Sequence, residues 1–218
     1  NEFLKSKNLI DFSDMINDAA NYINENKFKN NYKYIIIDEF QDTSIGRFKL
    51  INSLLENNKS CRLFAVGDDW QSIYGFRGSN VDYIVNFKKH FKESETIKLS
   101  MNYRSTEHIV GASNEVIRHN KFKVNKNVQS NKKSSSKIHI NAGKNEAENI
   151  EYVLDQVNKL KDKGYTKEDI LFLYRRSKMY SPYFERFKQE RVFVSGKTIH
   201  ASKGLEAKAV FIIGLTEG

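Results

Sequence analysis

Apolar residues at first follow a helical rhythm along this chain and then crowd into one unbroken run. From Asn1 to Asn31 the pattern predicts a helix, because Leu9, Phe12, Ile16, Ala19, Ala20 and Ile23 recur at helical spacing, with Asp11 or Ser13 as caps. The run Tyr34-Ile35-Ile36-Ile37 then closes on Asp38 and Glu39. A stretch apolar on every side is the pattern of a strand covered on both faces, as in a parallel α/β sheet. Asp42, Thr43 and Ser44 offer N-caps to a helix with Phe48, Ile51 and Leu55 on one face. Arg62 to Val66 is a second strand, broken at Gly67. Asp82 to Phe91 is expected as a helix, Ile97 to Leu99 as a strand, and Glu107 to about Asn120 as a further helix.

The segment Lys121 to Lys137 is rich in Lys, Asn and Ser, which predicts a solvated basic linker or loop. Ile138 to Ile140 resumes a strand. Asn145 to Lys163 is the clearest amphipathic helix, with Ile150, Val153, Leu154, Val157 and Leu160 in register and Gly164 as its stop. Ile170 to Tyr174 is a strand, Ser181-Pro182 reads as a helix cap with a first-turn proline, and Lys197 to Ile199 and Ala209 to Ile213 are closing strands. Strands alternating with helices imply mostly parallel sheets, two of them. No internal repeat is present.

Composition narrows the classes. The 218 residues can bury a proper core in one large or two small domains. A net charge of +9 and a pI near 9.4 favour a polyanionic partner, nucleic acid before membrane. No apolar run approaches the roughly 20 residues that span a bilayer, and no signal-peptide pattern opens the chain. Lone Cys61 forms no internal disulfide, and no Cys/His cluster suggests zinc. A soluble, intracellular protein is expected, and the initial Asn1 suggests a piece of a longer one.

Candidate chemistry lies in four blocks. Ligands of parallel sheets gather beyond the carboxyl ends of strands, where Asp38 and Glu39 fall. An acidic pair there suits a hydrated Mg²⁺ carrying nucleoside phosphates, though a buried strand ending in ordinary solvated acids reads the same. In Gly67-Asp68-Asp69-Trp70-Gln71-Ser72-Ile73-Tyr74-Gly75-Phe76-Arg77-Gly78-Ser79, Gln71 can both donate and accept, sensing a terminal phosphate and an attacking water. Tyr74 and Phe76, with Arg77 beside them, form either a platform for single-stranded bases or an aromatic turn packed into a core. In Leu99-Ser100-Met101-Asn102-Tyr103-Arg104-Ser105, Arg104 can reach a γ-phosphate and Tyr103 can stack on a base. In Thr198-Ile199-His200-Ala201-Ser202-Lys203-Gly204-Leu205-Glu206, backbone N–H groups of a strand-to-helix turn can hold phosphate oxygens. Trp70 reads as packing and Cys61 as inert, while Arg175 and Arg176 are open between ligand contact and plain surface.

The order IIIDEFQD, VGDDWQSIYGFRGS, LSMNYRS and TIHASKGLEAKAVFIIGL resembles the UvrD/Rep group of superfamily 1 DNA helicases, with wording closest to its helicase IV branch. The likeness extends over Tyr34 to Gly218, and Ile10-Asp11-Phe12-Ser13-Asp14 is similar to the family's helical 1B insert. The resemblance implies an α/β fold of two RecA-like parallel-sheet lobes of the P-loop NTPase type, both incomplete, behind a small helical segment. It places residues 1–31 in the 1B remnant, 32–95 in lobe 1A and 96–218 in lobe 2A. It also implies ATP and Mg²⁺ as cofactors: Asp38 would coordinate Mg²⁺ and Glu39 would activate water. Gln71 would couple the γ-phosphate to the DNA site, Tyr103 would stack on adenine, and Arg104 would be the γ-phosphate finger. Tyr74, Phe76, Arg77, Thr198 and His200 would meet single-stranded DNA, Gly204 would lie near the γ-phosphate and Glu206 near the ribose. ATP would sit between lobes, and 3′ to 5′ movement, ss/ds junctions, DNA repair and a cytoplasmic, nucleoid-associated location follow from the same likeness.

Departures matter as much. No G-x-x-x-x-G-K-[ST] loop occurs in the 218 residues, so the family's phosphate loop is expected before Asn1 and its last arginine motif after Gly218. The 2B insert is missing between Tyr174 and Thr198. Without the phosphate cradle this chain alone is expected not to hydrolyse ATP usefully. The second reading is a non-enzymatic, degenerate module that binds nucleic acid or protein.

Overall fold

The computed structural model describes residues 2–29 and 31–215. Asn1 and Asn30, from the expected N-terminal helical stretch, and Thr216, Glu217 and Gly218, from the expected second lobe, lie outside the described residues. The chain divides into two compact units, Asn1–Lys137 and Ile138–Gly218.

In the first unit the helical stretch resolves into α1 (Glu2–Ser6) and α2 (Phe12–Asn24). Asp11 is the cap: its Oδ1 accepts from the Asp14 amide at 2.8 Å, and Asp14 accepts from the Asp11 amide at 3.2 Å. Capping at Asp11 leaves Leu9 outside the helix, and both Leu9 and Phe12 are exposed. Ala20 and Ile23 are the buried residues of α2, which packs against α3 (Ile45–Asn57).

Strand β1 (Tyr34–Ile37) pairs in parallel with β2 (Arg62–Ala65), from Tyr34 opposite Arg62 to Ile37 opposite Ala65. The expectation of a strand covered on both faces fails. Ile35 and Ile37 are half-buried, but Tyr34 is 64% and Ile36 74% exposed, because this two-stranded sheet buries one face only. That face packs Ile37, Leu63 and Ala65 against Phe40, Ile51 and Tyr83. The expected helix Asp82–Phe91 is two short ones, α4 (Asp82–Val85) and α5 (Phe87–His90). Asp82 holds them together across the break, accepting from Asn86 Nδ2 at 2.6 Å and meeting His90 Nε2 at 2.7 Å.

Ile97 to Leu99, expected as a strand, is unpaired and highly exposed; the strand β3 instead covers Met101–Thr106. It pairs in parallel with β4 (Gln129–Lys132) across the connecting helix α6 (Glu107–Arg118). The segment Lys121 to Lys137 is a largely exposed loop, as expected, that also contributes β4. Its polar side chains bind backbone: Lys123 Nζ caps α6 at the Ile117 and Arg118 carbonyls (2.6 and 2.8 Å), and Ser130 Oγ donates to the Ser105 carbonyl at 2.7 Å. Hydrophobic periodicity carries no trace of such contacts.

In the second unit α7 (Glu146–Asp162) is capped by Asn145, whose Oδ1 accepts from the Glu148 amide at 2.9 Å. Strand β5 (Ile170–Tyr174) is the centre of a parallel sheet flanked by β6 (Ser195–Thr198) and β7 (Ala209–Ile212). Helix α8 (Ser177–Gln189) starts before Ser181, so Pro182 lies inside it rather than in its first turn. The proline ring removes only the amide that would have bonded the Lys178 carbonyl. Ile138 to Ile140 forms no strand, and Ile140 is almost fully exposed. Ile170, Phe172, Phe187 and Val157 are the centre of this core, with Phe172 stacked on Phe211 at 4.8 Å. Among the described residues every strand ladder is parallel.

Burial separates two apolar residues that look alike in sequence. Phe172→Ala is expected to cost about 3–5 kcal/mol and Ile36→Thr less than about 0.5 kcal/mol in denaturant unfolding of this chain.

Candidate nucleotide and nucleic-acid site

Beyond Ile37 the chain turns sharply. Asp38 Oδ1 accepts from the Glu39 amide at 2.8 Å, and Glu39 adopts φ 51° and ψ 42°. A left-handed non-glycine residue costs about 1–3 kcal/mol and persists only where its surroundings enforce it. The enforcing contacts are adjacent. In the 3₁₀ turn Phe40–Asp42 the Phe40 amide donates to the Val66 carbonyl at 2.9 Å, tying the turn to the end of β2. Gln41 is fully buried; its Nε2 donates to Glu39 Oε2 and its Oε1 accepts from the Asp68 amide at 2.9 Å. One carboxamide thus joins the ends of both strands. A Cβ on Gly67 would lie 2.6 Å from Gln41 Oε1 and 3.0 Å from the Phe40 nitrogen, so only glycine admits this approach. Gln41 was not among the sequence candidates. The available signal was a polar residue directly after Phe40, in a turn that the run of isoleucines places against the core.

Asp68 opens the second block. Its Oδ1 accepts from the Trp70 amide at 3.1 Å and its Oδ2 from Gln71 Nε2 at 2.8 Å, above the 3₁₀ turn Asp69–Gln71. Lys126, from the loop before β4, places Nζ 2.5 Å from Asp68 Oδ1, 2.9 Å from Asp69 Oδ1 and 4.8 Å from the Trp70 ring. Burial raises the Asp68 pKa, but hydrogen bonds from Lys126 and Gln71 outweigh it and hold the carboxyl below its ordinary range. Burial likewise lowers Lys126, and its bonds to Asp68 and Asp69 outweigh that and raise it. No sequence pattern points to Lys126, which lies 58 residues from Asp68 in a run that reads as solvated charge.

A second 3₁₀ turn, Gly75–Arg77, carries the aromatic pair. Tyr74 and Phe76 meet edge to face at 6.2 Å, and the Arg77 guanidinium lies 5.2 and 5.6 Å from their rings. Phe76 is 69% exposed and Tyr74 half-buried, so Phe76 is the ring presented to solvent. A bridge between Ser44 and Ser79 and a bond from the Asn80 amide to the Thr43 carbonyl (3.0 Å) fix this loop to the first. Tyr103 and Arg104 lie on β3, both exposed. The Arg104 amide donates to Asn102 Oδ1 at 2.9 Å, and Lys132 Nζ donates to the Arg104 carbonyl at 3.1 Å.

The second unit carries the remaining candidates. Thr198 ends β6, and its Oγ1 accepts from the Ala201 amide at 3.2 Å, shaping the 3₁₀ turn His200–Ser202. Arg175 Nη1 lies 3.1 Å from His200 Nδ1. A guanidinium can only donate, so this contact requires Nδ1 as the acceptor. Gly204 has φ +83° and Glu206 is exposed. Of the two arginines left open by sequence, Arg175 thus has a site partner.

The structure therefore joins Glu39 to Gln71 through Gln41 and Asp68, and groups Tyr74, Phe76 and Arg77. Among the described residues no group of three or more His, Cys, Asp or Glu could hold a metal. Asp38 still suits Mg²⁺, which keeps most of its waters and is held by one or two carboxylates plus phosphate oxygens.

A parallel strand pair thus ends in adjacent carboxylates that are hydrogen-bonded through Gln41 and Asp68 to Gln71, with the Tyr74, Phe76 and Arg77 cluster following in the chain. Comparison with known proteins gives the family. The UvrD/REP helicase N-terminal domain matches residues 1–92, and the UvrD-like helicase C-terminal domain matches residues 97–195. The chain is 34% identical over 219 residues to DNA helicase IV of Escherichia coli, covering 99% of this chain and 31% of that protein. It is 31% identical over 211 residues to ATP-dependent DNA helicase PcrA of Staphylococcus aureus, covering 93% of this chain and 29% of that protein. The chain belongs to the UvrD/REP helicase family and spans under a third of the length of these two relatives. No described helix is long and apolar enough to cross a membrane.

The Asp68–Lys126 pair sets a pH dependence. Asp68, lowered from 3.8, adds stability above that value and loses it as pH falls through its folded pKa. Lys126, raised from 10.5, adds stability below that value and loses it as pH rises through its folded pKa. Thermal unfolding of the first unit is expected to be flat between these limits as far as this pair is concerned. Lys126→Met should shrink both edges, and unchanged edges would exclude the pair as their source.

Proposed function

We propose that the chain is part of an ATP-dependent DNA translocase, and that its first unit carries the hydrolytic carboxylates and a single-stranded DNA platform. The observation that carries this reading is the hydrogen-bonded path Glu39–Gln41–Asp68–Gln71, which ends three residues before Tyr74. Glu39 is the base that orients and deprotonates the attacking water, held in its unusual backbone conformation by Asp38 and Gln41. Asp38 would hold Mg²⁺, which supplies neutralising charge to the β- and γ-phosphates. Tyr103 stacks on the adenine and Arg104 stabilises charge on the γ-phosphate. Gly204 and Glu206 are further proposed nucleotide-binding residues.

Tyr74 and Phe76 stack on successive bases while Arg77 holds both rings and a backbone phosphate. Thr198 and His200 add strand contacts, the latter beside Arg175. The net charge of +9 strengthens phosphate attraction and makes affinity fall steeply with salt. The 218 residues hold no G-x-x-x-x-G-K-[ST] loop and cover under a third of the helicase relatives, which supports a nucleotide grip supplied by residues outside this chain. The second reading is a binding module without turnover.

One substitution separates the two. In the full-length protein, Glu39→Gln is expected to lower ATP turnover on single-stranded DNA by about 100-fold or more while DNA affinity in fluorescence anisotropy stays unchanged. Full turnover in Glu39→Gln would remove Glu39 from the chemistry. A wild-type protein that binds DNA and never turns over ATP would establish the binding module.

A further inference from the structure

We propose that Lys126 is the positioning residue of the Gln71 carboxamide and the point where the segment after α6 is coupled to the DNA-and-nucleotide turn. The proposal rests on the function read above. Lys126 contacts three residues of the turn at once: Asp68, Asp69 and the face of Trp70. Its side chain is only 14% exposed and that of Asp69 3%, so the Asp69 leg of the contact is shielded from solvent and salt, while Asp68 is 36% exposed. The backbone joins in, with the Val124 amide donating to Asp69 Oδ2 at 2.7 Å.

The consequence for Gln71 is geometric. Asp68 accepts Lys126 and the Trp70 amide on Oδ1 and Gln71 on Oδ2, so a carboxylate held on one oxygen presents the other in a fixed direction. Removing the ammonium takes the charged donor from Oδ1 and leaves the Trp70 amide alone on it, so the half-buried carboxylate is held less firmly and the Gln71 carboxamide with it. Lys126 also stands three residues before Gln129, which pairs with Met101 at the start of β3. That strand carries Tyr103 and Arg104, and Lys132 and Ser130 hold its backbone at Arg104 and Ser105. Any shift of β3 and β4 against the Asp68–Gln71 turn must therefore carry Lys126 along or break its ion pairs. A glutamine tuned in this way reports on both the strand bearing Arg104 and the turn leading to Tyr74.

The test uses Lys126→Met, Lys126→Arg, Gln71→Met and the double variant Lys126→Met/Gln71→Met. In this chain, the Gln71 side-chain amide resonances in ¹H–¹⁵N spectra are expected to move in Lys126→Met and to move less in Lys126→Arg. In the full-length protein, Lys126→Met should lower the kcat of ATP turnover on oligo-dT about tenfold, with KM for ATP within about twofold. Lys126→Arg should recover part of that loss, and Lys126→Met should add nothing in the Gln71→Met background. An unmoved Gln71 resonance, an unchanged kcat, or additive losses in the double variant would each overturn the proposal. Should Lys126→Met not fold, Lys126→Arg carries the same readouts, and wild-type values for both would overturn it. A wild-type protein without DNA-stimulated turnover would bring down the functional reading instead, and the Gln71 resonances would still decide whether Lys126 positions that side chain.

Discussion

A buried carboxamide holds the first unit's chemistry in place. Gln41 donates to the Glu39 carboxylate and accepts from the Asp68 backbone, with no solvent exposure of its own. A polar side chain in that position is stable only while its partners are present, since each unsatisfied buried group costs about 1–3 kcal/mol. The constraint runs in both directions. Gly67 has no Cβ because Gln41 occupies that space, and Glu39 keeps a left-handed backbone because its side chain and amide are both engaged.

From this bridge the structure extends outward in two steps of ordinary electrostatics. Asp68 turns the backbone contact into a side-chain contact by accepting Gln71, and Lys126 neutralises the carboxylate that makes this possible. In the aromatic pair that follows, Tyr74, Phe76 and Arg77 contact one another. The turn at Glu39 and the separate loop that carries Gln71, Tyr74, Phe76 and Arg77 are thus joined through Gln41 and Asp68. A small displacement at one end can be felt at the other, because hydrogen-bonded groups in a low-dielectric setting have few alternative partners.

Much of this was legible in the sequence, and the reasons differ by element. The isoleucine run, the Asn145 cap and the α7 face were readable because periodicity and capping are local. The adjacent acids and the aromatic–arginine cluster were readable because their chemistry is contiguous in the chain. The covered second face of β1 was misread, since an apolar run does not reveal how many layers surround it; Ile36 faces outward. Pro182 was misplaced because Arg176, without a side-chain cap bond, starts α8 earlier than the Ser-Pro signal suggests. Strand β4 and the contacts of Lys126 are not legible in the 121–137 segment because they rest on ion pairs and side chain-to-backbone bonds, which leave no hydrophobic pattern. Gln41 was missed for the same reason: its role depends on a residue 27 positions away.

The bridge itself can be observed one proton at a time. Amide hydrogen exchange of this chain reports the protection of the Asp68 N–H, which donates to Gln41 Oε1. In Gln41→Met the account predicts a loss of protection at Asp68 of about tenfold or more, with the β1–β2 ladder amides at wild-type rates. Equal protection at Asp68 in both proteins would contradict it.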